Sequence, residues 1–152
     1  MICDFEEKYT DGIISLWNET AATEGYREMD RRRFAEIFTW SPYFRPDMAP
    51  VRVEAGRVCG FACGCVGDDL PLGNATGYLT CVLLAPSVRS DAGFDELLGR
   101  LEQGFLSRGR RQSDVLFFNP MMLPWYIPGT DHREHNNAPG AMAGSYFHRS
   151  LL

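Results

Sequence analysis

Residues 80–109 read TCVLLAPSVRSDAGFDELLGRLEQGFLSRG, from Thr80 to Gly109, and the fold is decided in this stretch. Cys81-Val82-Leu83-Leu84 is a short β-branched and aliphatic run that stops at Pro86, so it predicts a strand. A polar turn follows from Ser87 to Asp91. Phe94, Leu97, Leu98, Leu101 and Phe105 then recur at helical spacing and share one apolar face. Ser90 or Asp91 is placed to cap the helix start, and Gly109 after Arg108 to stop it. A strand that passes through a tight turn into a helix leaves backbone N–H groups unpaired at one point. Such a point suits a phosphate or pyrophosphate.

Upstream, Ile2-Cys3-Asp4-Phe5 predicts a first strand. Thr10 or Asp11 opens a helix in which Ile13, Leu16, Trp17 and Thr20 share a face. Asp30 caps a second helix carrying Phe34, Ile37 and Phe38, which ends near Trp40-Ser41-Pro42. Val51 and Val53 then alternate with Arg52 and Glu54, and Ala55-Gly56-Arg57 makes a hairpin turn. On the return strand Cys59, Phe61, Cys63 and Cys65 share one face. The other face carries only Gly60, Ala62 and Gly64, which predicts close packing by something lying over the sheet.

Downstream, Asp114 to Phe118 (DVLFF) predicts a buried strand. The proline-rich segment 119–140, with Trp125 and Tyr126, predicts a packed loop lining a site. A last helix is expected from Ala141 to Leu152.

With 152 residues, 45% hydrophobic and 23% charged, the sequence suits one globular domain spanning 1–152. A net charge of −5 argues against a nucleic-acid partner. No apolar run approaches the roughly 20 residues of a membrane span, so no membrane is expected. Acidic residues stand near the N-terminus where a signal peptide would be basic, which points to a cytoplasmic protein. Five cysteines without a repeating spacing read as free thiols. Arg31-Arg32-Arg33 reads as a solvated helix face.

The order β-α-α-β-β-β-α-β-α, together with Val82-x-Leu84-x-Pro86-x-x-Arg89, resembles the GNAT superfamily of N-acetyltransferases. VEAGRVCGFACG resembles its second and third strands, and LWNETAATEGY its first helix. WYIPG followed by HNNAPG is similar to bacterial tandem-GNAT proteins, in which two such domains share one chain. The resemblance implies an α/β fold, with a mixed, mostly antiparallel twisted sheet and helices on both faces. It also implies acetyl-CoA as co-substrate, a small-molecule or peptide amine as acceptor, and no metal. Acetyl-CoA would lie in a V-shaped opening between the central strand and DVLFF. Backbone groups of Val82, Leu83 and Leu84 would hold the pantetheine arm. The turn of Arg89, Ser90, Asp91, Ala92, Gly93 and Phe94 would hold the pyrophosphate. A backbone N–H of the central strand would stabilise the oxyanion. Tyr146, in the last helix, would protonate the leaving thiolate, unless the alignment slips by one and puts Phe147 there.

The family turn reads Arg-x-x-Gly-x-Gly or Ala, whereas Ala92 and Phe94 stand here at its two small positions and Gly93 is offset by one. Asp91 also brings a carboxylate toward a dianion, a repulsion of about 4 kcal/mol at ~4 Å and an effective dielectric of about 20. Two functions therefore stay open. One is an N-acetyltransferase acting by direct attack of a primary amine. The other is a degenerate, non-catalytic domain that binds or supports something else. The family continues past its last helix with two further strands, which are missing after Leu152. Either the chain is a fragment or first half of a longer tandem chain, or a partner, such as a second GNAT domain or a second copy in a homodimer, supplies them.

Three other constellations compete. Cys59, Cys63 and Cys65 read better as buried thiols than as metal ligands, because two positions along a strand separate sulfurs by ~7 Å. Asp131, His132 and His135 fall in the long loop and could be read as metal ligands, but contact of His132 or His135 with the acceptor amine is the better reading. Glu54 is either a general base or a solvent-facing hairpin residue.

Overall fold

The computed structural model of the chain describes residues 1–24, 27–67, 73–116, 121 and 145–151. Six strands form one sheet in sequential order: β1 (Ile2–Cys3), β2 (Val51–Glu54), β3 (Arg57–Cys65), β4 (Thr76–Leu84), β5 (Gln112–Leu116) and β6 (Ser145–Ser150). All neighbouring pairs are antiparallel except β4 and β5. Those two are parallel because helix α3 (Asp91–Ser107) carries the chain back between them. The β2–β3 turn puts Ala55 and Gly56 at φ 50° and 76°, the left-handed pair that matches the twist of a two-residue hairpin.

One face of the sheet is covered by α1 (Thr10–Glu24) and α2 (Arg31–Phe34). Ile13, Leu16, Trp17, Phe34 and Phe38 pack there against Phe61, Cys63 and Cys65 of β3. Asp30 caps α2 by accepting the Arg33 N–H at 2.7 Å. The helix then widens into a π turn closed by Trp40 N–H to the Ala35 carbonyl at 2.7 Å. That wider turn ends the helix, and Phe38 within it packs edge-on to Phe61 at 5.4 Å. The three arginines lie as a charged helix face: Arg31 pairs with Asp11 at 2.6 Å and Arg32 with Glu36 at 2.9 Å.

The small face of β3 is covered as its composition demands. Leu97, Leu98, Leu101 and Phe105 of α3 pack there with Ala62, Leu79, Val82 and Leu84. A Cβ on Gly64 would lie 2.6 Å from the Phe105 ring, and one on Gly77 of β4 2.3 Å from it. Phe105 thus rests directly on bare backbone, and both glycines are fixed by that contact.

The chain's end departs from expectation. Residues 145–150 are not helical but pair antiparallel with β5, from Gln112↔Ser150 to Leu116↔Ser145. Pairing satisfies the edge of β5 away from β4, a gain that an isolated helical turn does not offer. Tyr146 therefore lies on a strand and not on the helix expected from Ala141 to Leu152. Residues 117–120, 122–144 and 152 lie outside the described residues, and with them Phe117, Phe118, Trp125, Tyr126, Asp131, His132 and His135. Among the described residues no helix is long and apolar enough to cross a membrane.

Candidate active site

The site is built by β4. Its parallel ladder with β5 has three rungs, Thr76↔Gln112, Gly77↔Ser113 and Tyr78↔Asp114, and stops there. β4 continues to Leu84, still paired on its other side with β3 as far as Gly60↔Leu84. Among the described residues the parallel ladder has no rung beyond Tyr78, and the rest of β4 is buried. On the β3 side, the register passes from Cys63↔Cys81 to Gly64↔Leu79, so Thr80 is an extra residue, a β-bulge. Its hydroxyl donates to the Cys63 carbonyl at 2.7 Å and pins the irregularity.

The bulge inverts which residues face which helix. Before it, Tyr78 packs toward α1 and α2 and Leu79 toward α3. After it, Cys81 and Leu83 face α1 and α2, while Val82 and Leu84 face α3.

The direction of the backbone groups follows from two hydrogen bonds. Ala85 N–H donates to the Cys59 carbonyl at 2.8 Å, and Ala62 N–H turns away from β4 to the Pro50 carbonyl at 3.0 Å. In an antiparallel pair, bonded and non-bonded positions alternate. Leu83 and Cys81 therefore spend their amides and carbonyls on β3, and those of Val82 and Leu84 turn away from it. Arg89 Nη2 donates to the Leu84 carbonyl at 3.2 Å. The Val82 amide and carbonyl and the Leu84 amide form the rest of that edge, and both residues are buried.

The turn after β4 is self-contained. Pro86–Val88 forms a 3-10 turn, and the Ser90 Oγ caps α3 by accepting the Gly93 N–H at 3.0 Å. A Cβ on Gly93 would meet the Val88 carbonyl oxygen at 2.2 Å, so only glycine lets the helix start so near the turn. Ser90, Asp91 and Ala92 are exposed, while Arg89 is half-buried and so is Phe94, which packs with the Val82 and Leu97 cluster. The cap leaves Asp91 and Ala92 to present the first-turn amides of the helix.

The sequence matches no protein-family model and no curated protein. Solved structures do match. An N-acetyltransferase from Staphylococcus aureus Mu50 is 20% identical with a TM-score of 0.58, over 76% of this chain and 71% of that one. The N-acetylglutamate synthase from Neisseria gonorrhoeae, solved with coenzyme A and N-acetyl-glutamate, is 12% identical with a TM-score of 0.63. That match covers all of this chain but 35% of the synthase. An aminoglycoside 6'-N-acetyltransferase complexed with coenzyme A is 20% identical with a TM-score of 0.58, over 76% of this chain and 60% of that one.

The chain has the GNAT fold.

Within that GNAT fold the expected site residues divide. Val82, Leu83 and Leu84 lie together on β4, and Arg89 to Phe94 form the adjoining turn and helix start. Glu54 is elsewhere, two strands from β4 at the hairpin end, where it accepts from the N-terminal ammonium at 3.0 Å. That hydrogen bond holds its carboxyl below the usual range, and Arg52 adds to the effect. Both features fit the solvent-facing alternative better than a base. Glu54 lines a cavity of about 1000 Å³ with Lys8, Tyr9, Arg57 and Ser87, on the turn side of the sheet and not where β4 and β5 part.

The backbone of Tyr146 lies on β6, one strand beyond β5. The cysteines are free thiols, and Cys63, Cys65 and Cys81 are buried. Burial pushes the Cys63 thiol up to about 12. Tyr78 and Asp114 form the last described rung of the parallel ladder, and both are buried.

Proposed function

We propose that the chain is an acetyl-CoA-dependent N-acetyltransferase that moves an acetyl group to a primary amine of a small molecule or peptide. The edge of β4 turned away from β3 carries this reading. The outward amide and carbonyl of Val82 and the amide of Leu84 match the donors and acceptors of a pantetheine arm, which is itself an extended chain of amides. The arm would run from the Arg89–Phe94 turn toward Tyr78. Acetyl-CoA supplies an activated thioester. The protein's part is to hold that thioester near the bulge, to offer a β4 amide to the developing oxyanion, and to exclude water. Two of the solved structures described above hold coenzyme A, which supports coenzyme A as the ligand.

A second reading, a GNAT domain that no longer binds acetyl-CoA, is favoured by one observation. The Gly93 amide is already taken by Ser90, and Asp91 stands exposed at the same helix start. Calorimetric titration separates the two. The first reading expects saturable binding of both acetyl-CoA and CoA. Absence of binding at millimolar ligand would leave the second.

A further inference from the structure

The cavity of about 1000 Å³ lies at the end of the sheet where β4 gives way to the turn before α3. Three segments distant in sequence wall it: the start of α1 with the turn before it, the β2–β3 hairpin, and Ala85 to Val88. Helix and hairpin touch at Gly12, where an added Cβ would come within 2.6 Å of the Val58 side chain. Hairpin and turn are tied by the Ala85 N–H, which donates to the Cys59 carbonyl at 2.8 Å. The walls are therefore fixed relative to one another, and the space is of the size that takes a small organic ligand.

Charge distinguishes this cavity from the neighbouring start of α3. Lys8 and Arg57 line it, and both are exposed. Lys8 meets Glu6 at 3.5 Å with both side chains more than half exposed, a pair worth at most about 1 kcal/mol and readily exchanged. Arg57 pairs with no carboxylate among the described residues. Two acids share the lining. Glu54 is held by the N-terminal ammonium at 3.0 Å and by Arg52 at 3.4 Å. Glu19 stands seven residues beyond Gly12, about 10 Å further along α1. The first two turns of α3, by contrast, carry Asp91, Asp95 and Glu96, all exposed, and no basic residue. An anion beside the turn is repelled on the α3 side and attracted on the cavity side.

Coenzyme A ends in an adenosine with a 3′-phosphate, a dianion joined to an aromatic base. In the acetyl-CoA reading the arm passes Leu84, and the pyrophosphate sits at the turn that opens with Arg89. Val88, the residue before that turn, already lines the cavity. We propose that the cavity receives the 3′-phosphoadenosine end of coenzyme A, with Lys8 and Arg57 holding the 3′-phosphate. Lys8 Nζ lies 5.2 Å from the centre of the Tyr9 ring, so a cation and an aromatic surface stand side by side there. Leu16, Val58 and Pro86 add apolar surface for the base. The cavity does not suit the acceptor amine, because Ala85 is five residues past the bulge at Thr80, about 16 Å of extended strand. This inference rests on the acetyl-CoA reading and fixes the side to which the nucleotide turns.

Taking the 3′-phosphate off the ligand isolates the claim. Calorimetric titration of the full chain at low salt should show CoA bound at least about tenfold more tightly than 3′-dephospho-CoA, the worth of a hydrogen bond between charged groups. Added salt should shrink that preference. Both basic residues are exposed, so Lys8→Gln and Arg57→Gln are expected to fold as the wild type does. Each should cut the preference at least about threefold while leaving 3′-dephospho-CoA affinity within about twofold. Asp91→Lys should tighten both ligands alike, since it acts on the pyrophosphate they share. Lys8 is also the chain's one lysine, which gives a chemical readout. Its acetylation by sulfo-N-hydroxysuccinimide acetate, followed by mass spectrometry, should slow at least about threefold under saturating CoA.

Equal wild-type affinity for CoA and 3′-dephospho-CoA would overturn the inference while leaving the acetyl-CoA reading intact. So would a preference kept whole in either glutamine variant, or Lys8 acetylation unchanged by saturating CoA. A preference that grows in Asp91→Lys would put the 3′-phosphate over α3 and overturn it as well. A wild type that binds neither ligand removes the acetyl-CoA reading, and the nucleotide site with it.

Discussion

The Ser90 hydroxyl oxygen accepts the Gly93 N–H at 3.0 Å, so the residue that starts α3 competes with any anion for that amide. The turn is stable because it is closed on itself, and closure is what reduces its donors for a pyrophosphate. Removing the hydroxyl therefore has two effects of opposite sign. Ser90→Ala is expected to lower folding stability by about 1 kcal/mol, the usual value of a serine cap. It should also strengthen acetyl-CoA binding severalfold by freeing the Gly93 amide. Urea unfolding and calorimetric titration read the two effects separately. A variant with lower stability and weaker binding would mean that the cap shapes the cofactor site.

Asp91 is exposed at the first position of the helix, so its repulsion of an anion is screened by water. At ~4 Å in water the interaction is about 1 kcal/mol. Asp91→Lys is therefore expected to tighten acetyl-CoA binding at least about fivefold at low salt, with the gain shrinking as salt is added. Weaker binding would place the pyrophosphate away from this turn.

Phe105 lies on the backbone of Gly77 and Gly64, and an added Cβ at Gly77 would come within 2.3 Å of its ring. Gly77→Ala is expected to cost about 1–3 kcal/mol by overpacking. Combining it with Phe105→Leu should recover part of that loss, giving a coupling of about 1 kcal/mol in a double-mutant cycle. Additive losses in urea unfolding would show that the two positions do not meet.

The buried thiols make stability depend on pH. Cys63 is raised by burial from 9.0 to about 12. Cys65 and Cys81 move in the same direction for the same reason. Above pH 9 the unfolded chain loses these protons while the folded chain keeps them. The contribution is therefore whole below about pH 9 and is lost progressively toward pH 12. The urea midpoint should hold level from pH 7 to 8.5 and decline above pH 9. A level midpoint through pH 11 would contradict the burial of these groups. Maleimide at pH 8 should label half-buried Cys3 before any of the three.

Much of the fold was readable because composition and period agreed. The small positions Gly60, Ala62 and Gly64 called for a helix on one face, and the stripe from Phe94 to Phe105 supplied it. Asp30 and Ser90 announced the helix starts they cap. Other features depend on partners that no local pattern records. The bulge at Thr80 exists only relative to the register of β3. SYFHRS became a strand because β5 had an edge to pair, although its aromatics also suited a helix. Gly93 looked displaced from a phosphate-binding pattern, and its place is set instead by the approach of the Val88 carbonyl.

The central claim is that acetyl-CoA adds to β4 as a strand, and amide hydrogen exchange tests it most directly. Residue-resolved exchange would be followed with and without saturating acetyl-CoA. The Val82 and Leu84 amides, turned away from β3, should slow at least about tenfold, while Cys81 and Leu83, already bonded to β3, should be unchanged. Unaltered exchange at Val82 and Leu84 at a ligand concentration that saturates binding would contradict it.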